Sequence, residues 1–299
     1  MPLSEVSLIN DFLDYIKFQK RFSRHTILSY STDLKAFFEY VNQEFEPSSL
    51  EEIKPSLIRS WLASLKEMEL SSKTVNRKIS TLRSFFKYQL KLGALKSSPM
   101  IPIKSLKTSR RLPSFIAGKD LHTLFDHVEF PQTWQGKTDK LLLKIFYFTG
   151  IRLSELINLK DNDVDVVNCV LKVLGKGQKE RIVPISPSLL QEIRLYIRDK
   201  SSLGQNQIAP LLCSEKGKAL YPKYVYRIVK KYLGMVSSNE RKSPHILRHS
   251  FATHLTNNGA QINAVKDLLG HASLASTQVY THNSIDKLKE IYRLSHPKS

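Results

Sequence analysis

Residues 244–283 read PHILRHSFATHLTNNGAQINAVKDLLGHASLASTQVYTHN, and their spacing predicts short helices rather than strands. His245 and Arg248 stand three apart, so a helix puts both on one face. Asn263 to Leu269 reads as a short helix closed by Gly270, because glycine takes the left-handed conformation that ends helices. His271 follows directly, and Ser273 can cap a further short helix leading to Tyr280. Singly, each of these is more simply a helix-end or core residue. Together they set a candidate tyrosine nucleophile behind three polar side chains.

Upstream, helical text continues into two β-branched runs, CVLKVLG (Cys169 to Gly175) and ERIVPIS (Glu180 to Ser186). Joined by Lys176-Gly177-Gln178-Lys179, they predict a β-hairpin with Lys176 at its turn. The GKG there lacks the spacer and the following Ser or Thr of a nucleotide-binding loop, so nucleotide binding is rejected. Before the hairpin, Gly118 to Phe130 and Asp139 to Phe148 read as helices. In TGIRLSEL, Ser154 and Glu155 lie early in a helix, which puts Arg152 at or near its start. Helices resume over Ser188 to Lys200 and Tyr221 to Leu233. The C-terminal part therefore reads as mostly helical with a small sheet.

Residues 4 to 92 carry no alternation of period two, so the first domain reads as all-helical. Ser23 can cap a helix holding Leu34, Phe37, Phe38 and Val41, and Pro55 suits the first turn of another with Ile58 and Trp61. From Ser72, Val75, Ile79, Leu82, Phe86 and Leu90 recur at steps of three and four, while Lys73, Arg77, Lys87 and Lys91 mark the other face. Such a stripe is commonly a solvated face; without acids, in a chain of net charge +19, phosphate contact is the expected use. Arg24 belongs to a second basic cluster. SSPMIPIKSLKTSRRLP, Ser97 to Pro113, reads as a linker, since its prolines exclude helix and central strand and Arg110 and Arg111 can track a phosphate backbone. The expected division is 1–105 and 106–299, in a mainly α protein.

Composition narrows the classes. At 299 residues, with 41% hydrophobic and 24% charged residues, the chain is globular and long enough for two cores. Its 46 Lys and Arg against 27 Asp and Glu favour a nucleic-acid partner. The two cysteines, Cys169 and Cys213, lack metal-ligand spacing, and no zinc or disulfide framework is expected. Asp161, Asp163 and Asp165 alternate, but a calcium loop begun there would need Gly and Glu where Val166 and Lys172 stand. The most apolar run, Leu141 to Ile151, is too short to span a bilayer, and the N-terminus carries acids where a secretion signal is basic. A cytoplasmic location without membrane partners is expected.

Arg152 in TGIRLSEL, Lys176 in GKGQKERIVPI, His245 and Arg248 in HILRHSFATHL, His271 in LLGHASLASTQVY, and Tyr280 together resemble the active-site set of the tyrosine recombinases, or phage-integrase family. Order, spacing and flanking text agree at all six positions, and length and ending look most like the cellular Xer branch, which resolves chromosome dimers. An integrase or transposase of a mobile element is the alternative. The resemblance implies a helical core-binding domain, in which the charge pattern makes Arg24, Lys73, Arg77 and Lys87, with Arg110 and Arg111 of the linker, the candidate DNA contacts, then a catalytic domain. It implies attack by Tyr280 on a phosphodiester to give a 3′-phosphotyrosine, with no ATP, metal or other cofactor. It implies a homotetramer on DNA, or a heterotetramer with a second recombinase, and extends the partners to a septal DNA translocase. A tail after Tyr280, with Ile285, Leu288 and Tyr292 on one face, is expected to dock on a neighbouring subunit.

Two arginines suit such chemistry because each guanidinium is a planar fork of donors that stays charged at working pH. A tyrosine, with a reference pKa of about 10, needs a base and a cationic field. His245 is the candidate base, Lys176 the candidate proton donor to the departing 5′ oxygen, and His271 a support for either the base or a nonbridging oxygen.

Overall fold

The structure is a computed structural model that describes residues 5–47, 49–108, 114–175, 180–201, 210–240, 242–270, 289–290 and 292–296. The chain divides into two compact units, Met1–Arg111 and Leu112–Ser299. Among the described residues it is mainly helical, with one three-stranded antiparallel sheet.

In the first unit, α1 (Glu5–Asp14) runs into a π-helical turn, Tyr15–Gln19, and is followed by α2 (Arg24–Phe45), α3 (Pro55–Glu67) and α4 (Ser72–Lys91). Ser23 caps α2 by accepting from the Thr26 N–H at 3.3 Å, Ser71 does the same for α4 from Thr74 at 3.2 Å, and Pro55 opens α3. The predicted stripe of α4 is the buried one, apart from half-buried Leu90. It meets an aromatic core in which Phe37 packs edge-on against Trp61 at 5.0 Å and Phe38 against Phe85 at 5.5 Å. One carboxylate lies inside this core. Asp33 of α2 is fully buried, held by Arg77, by Lys78 at 3.0 Å and by the Thr81 hydroxyl at 3.0 Å.

The segment read as a linker contains no helix or strand among its described residues, but it is no free tether. Met100 and Ile103 are buried in the first core, and Asn76 clasps Leu106, accepting from its N–H at 2.7 Å and donating to its carbonyl at 2.9 Å. Apolar residues placed between the prolines made this packing possible. Arg110 and Arg111 lie outside the described residues.

The second unit is arranged around α6 (Trp134–Thr149), whose Leu141, Leu142, Leu143, Ile145, Phe146 and Tyr147 are all buried. This is why the most apolar run of the chain is a core helix. Around it stand α5 (Gly118–Asp126), α7 (Leu153–Asn158), α8 (Pro187–Ser201), α9 (Pro222–Val236), α10 (Pro244–Asn257) and α11 (Ile262–Leu269). The predicted hairpin is β2 (Val170–Leu174) against β3 (Glu180–Pro184), with Val173 opposite Arg181; β1 (Val164–Asp165) adds a short third strand beside β2. Three acids that alternate in sequence diverge in space: Asp161 pairs with Lys200 at 2.6 Å, Asp163 accepts from its own turn's Lys160 N–H, and Asp165 accepts from Asn168. No helix among the described residues is long and apolar enough to cross a membrane.

Of the tail residues expected to dock on a neighbouring subunit, Ile285 and Leu288 lie outside the described residues. Tyr292, at 3% exposed, packs with Phe251, Leu255, Val265 and Leu268 of its own unit, and Asn258 donates to the Ser295 carbonyl at 2.8 Å. The tail's described apolar anchor is thus used within the chain, because a large aromatic ring beside an apolar cleft is more stable buried there than in water.

Candidate active site

Two left-handed glycines shape the site. Gly150 ends α6 at φ +59°, and a Cβ there would lie 2.4 Å from Phe251 and 2.9 Å from Leu269, so the TGIR turn can be made only by glycine. The turn delivers Arg152 as the N-cap residue of α7, three positions before Glu155. Gly270 ends α11 at φ +64°, directly before His271.

Glu155, only 4% exposed, is the hub. Its Oε2 accepts from the Arg152 N–H at 2.7 Å, as in a capping box, and its Oε1 accepts from the Arg152 guanidinium at 2.8 Å. Arg181 of β3 adds a bidentate pair, one bond to each carboxylate oxygen, both at 2.8 Å. Burial disfavours the ionised carboxyl, but the bonds from Arg181 and Arg152 outweigh it and hold Glu155 at about 2.

Three arginines then converge on consecutive carbonyls at the end of α11. Arg181 Nε donates to Leu268 at 3.1 Å, Arg248 to Leu269 at 2.6 Å, and Arg152 to Gly270 at 2.9 Å. Arg248 also donates to Gly150 at 2.5 Å, which ties the two glycine turns together. The last carbonyls of a helix carry its negative end and have no partners within the helix, so they attract cations. Burial, followed by the nearby Arg152 and Arg181, lowers Arg248 to about 10, still high enough to remain charged at neutral pH. With one glutamate among three guanidiniums, the cluster keeps two net positive charges.

The structure therefore brings together two of the predicted residues, Arg152 and Arg248. Access differs among the arginines: the Arg152 side chain is 32% exposed, Arg248 is 8% exposed and Arg181 5%. His245 sits exposed in the first turn of α10, one turn before Arg248. Lys176, His271 and Tyr280 lie outside the described residues. His254, further along the same motif, is a core residue, with its Nδ1 3.0 Å from the Tyr147 hydroxyl.

Sequence reading gave Glu155 and Arg181 no role, although both left a signal. Glu155 occupies the capping-box position after Arg152. Arg181 and Val183 alternate along β3, with Ile185 just past its end, so the arginine falls on the strand's buried face. A second omission is the basic face of α9: Lys223, Tyr226, Arg227 and Lys230, at helical spacing, line a groove of about 520 Å³ with Tyr221 and Lys242. In the first unit, Arg24, Lys73 and Lys87 are exposed, whereas Arg77 is joined to Asp33 and to Ser29 with its side chain 45% exposed.

The second unit thus carries a dense cationic cluster, three arginines about one glutamate. The chain matches the phage integrase family over residues 114–286 and the N-terminal SAM-like domain of phage integrases over residues 9–93. It is 39% identical to the tyrosine recombinase XerC of Thermodesulfovibrio yellowstonii, covering 97% of this chain and 96% of that one. It is 33% identical to the tyrosine recombinase XerD of Staphylococcus epidermidis, covering 98% and 99%. Among solved structures, it is similar to the XerH site-specific recombinase bound to palindromic difH substrate in a post-cleavage complex, with a TM-score of 0.70, 27% identity, and coverage of 88% of this chain and 78% of that one. The chain belongs to the phage integrase family, the tyrosine recombinases.

Proposed function

We propose that the enzyme recombines DNA at a specific site through a covalent intermediate on Tyr280, and that it resolves chromosome dimers at cell division. The observation that carries this reading is the cluster of Arg152, Arg181 and Arg248 around the single carboxylate of Glu155. Attack on phosphorus concentrates charge on the nonbridging oxygens, and a preorganised site with two net positive charges is complementary to that state. An arriving phosphodiester also relieves the mutual repulsion that, after burial, lowers Arg248.

In the proposed step the Tyr280 oxygen forms a bond to phosphorus as its proton passes to His245. The bond from phosphorus to the 5′ oxygen breaks, and that oxygen takes a proton from Lys176. His271 hydrogen-bonds a nonbridging oxygen, while Arg152 and Arg248 hold the charge. A 5′ hydroxyl from another strand then reverses the attack, so bond energy is conserved and neither ATP nor a metal is consumed. The exposed Arg24, Lys73 and Lys87, with Arg77, Arg110, Arg111 and the α9 face, bind phosphates along the duplex. The working form is a tetramer on two duplexes, of this chain alone or with a second recombinase, in the cytoplasm and in reach of a septal DNA translocase. Relatives named XerC and XerD favour this chromosomal role over a mobile-element one.

The test is incubation with a nicked suicide duplex, in which a short 5′ fragment diffuses away and traps the intermediate. Wild type should give a protein–DNA adduct on a denaturing gel that Tyr280→Phe does not, and a metal chelator should leave its yield unchanged.

A further inference from the structure

Arg181 is the most deeply buried guanidinium of the cluster, and it is the one whose guanidinium bonds to both oxygens of Glu155. It sits on β3, the strand that follows the Lys176 hairpin turn in sequence; it grips Glu155 on α7; and its Nε holds the Leu268 carbonyl of α11. Its fit is close. A Cβ on Gly270 would meet Arg181 Cδ at 2.9 Å and Nε at 3.1 Å, so the glycine before His271 serves both the left-handed turn and the passage of this side chain.

All three guanidinium nitrogens of Arg181 are committed, two to Glu155 and one to the Leu268 carbonyl, so it is not offered to a phosphate, whereas Arg152, which shares Glu155 with it, is 32% exposed on its side chain. Glu155 thus has one buried fork that fixes it and one accessible guanidinium that it aims. Without Arg181, two of the four bonds to the carboxylate disappear, and Glu155 is free to shift, carrying the Arg152 guanidinium with it, and to turn toward Arg248. We infer that Arg181 is a positioning residue of the catalytic site: by fixing Glu155 and the end of α11, it sets the aim of Arg152 and Arg248 without touching DNA.

This rests on the proposed strand-cleavage reaction, and the experiment separates the two ideas. Arg181→Lys keeps the charge but removes the planar fork. Single-turnover adduct formation on the suicide duplex should be on the order of a hundredfold slower, the effect of a small misplacement of reacting groups. DNA affinity and its salt dependence should not change, because the same phosphates are still neutralised. The same assay on a duplex with a neutral methylphosphonate at the scissile position distinguishes aiming from general damage: with less charge to stabilise, the deficit of R181K should narrow, whereas a loosened fold would slow both substrates equally. Should R181K fail to fold, Arg181→Gln, which keeps an amide donor toward Glu155 and leaves the carboxylate in place, must show the same loss and the same narrowing. Wild-type cleavage by the folded variant, or a deficit equal on both substrates, overturns the inference. Failure of the wild type itself to form an adduct overturns the strand-cleavage reading instead.

Discussion

Arg152 and Arg248 are fastened to adjacent carbonyls, those of Gly270 and Leu269, at the end of one short helix. The two guanidiniums come from helices far apart in sequence, and α11 gives them a common ruler. Their relative placement therefore depends on where α11 stops, which is fixed by the left-handed Gly270.

Replacing either arginine with lysine keeps the charge and loses the fork. Arg152→Lys and Arg248→Lys should each slow adduct formation by about 10²- to 10³-fold, the usual effect of removing one preorganised donor. Single-turnover kinetics on the suicide duplex reads this directly, with DNA affinity measured alongside to show that binding survives.

Glu155 makes an acid-stability prediction with a definite sign. Its folded value is lowered from 4.5 to about 2, so its stabilisation is fully present above 4.5 and is lost as the pH falls through about 2. A displacement of that size corresponds to roughly 3 kcal/mol for this buried group. Urea unfolding of wild type and Glu155→Gln across that range should give curves that converge toward low pH, the variant being the less stable at neutral pH.

Asp33 is a second buried, paired carboxylate, in the first unit. Asp33→Ala leaves Lys78, 7% exposed, without its carboxylate, and should destabilise that unit by about 3 to 5 kcal/mol. Denaturant unfolding of the full chain, followed by the fluorescence of Trp61, which packs in that core, would report it.

The α9 face predicts a salt effect. Substituting Lys223, Arg227 and Lys230 with glutamine should weaken DNA binding at every sequence and lower the slope of log affinity against log salt by roughly 0.9 for each phosphate left unneutralised. Lys73→Gln and Lys87→Gln should act alike, whereas Arg77→Gln should also reduce stability, since it removes a partner of Asp33.

Periodicity made most of the architecture legible. The spacing of Val75, Ile79, Leu82 and Phe86 identified the buried face of α4, and the β-branched runs on either side of Lys176–Lys179 marked the hairpin. Local turn chemistry placed Arg152 and Gly270, because a helix start and a glycine stop are written in neighbouring residues. What escaped is what depends on partners distant in sequence. Nothing near Arg77 shows that Asp33 of another helix takes it, and nothing near Pro99 or Pro102 shows that Met100 and Ile103 are buried beside them. Glu155 and Arg181 were visible as a capping residue and an inward-facing strand position, yet their joint role appears only once β3 and α7 are side by side. Tyr292 could be read as apolar, but not which surface it would cover.

The central claim is that Tyr280 carries the DNA. The most direct measurement is to digest the trapped adduct with nuclease and protease and sequence the modified peptide by mass spectrometry. The account predicts a nucleotide joined through its 3′ phosphate to Tyr280, with a free 5′ hydroxyl on the other side of the break. An adduct on any other residue, or an undiminished one in Tyr280→Phe, would contradict it.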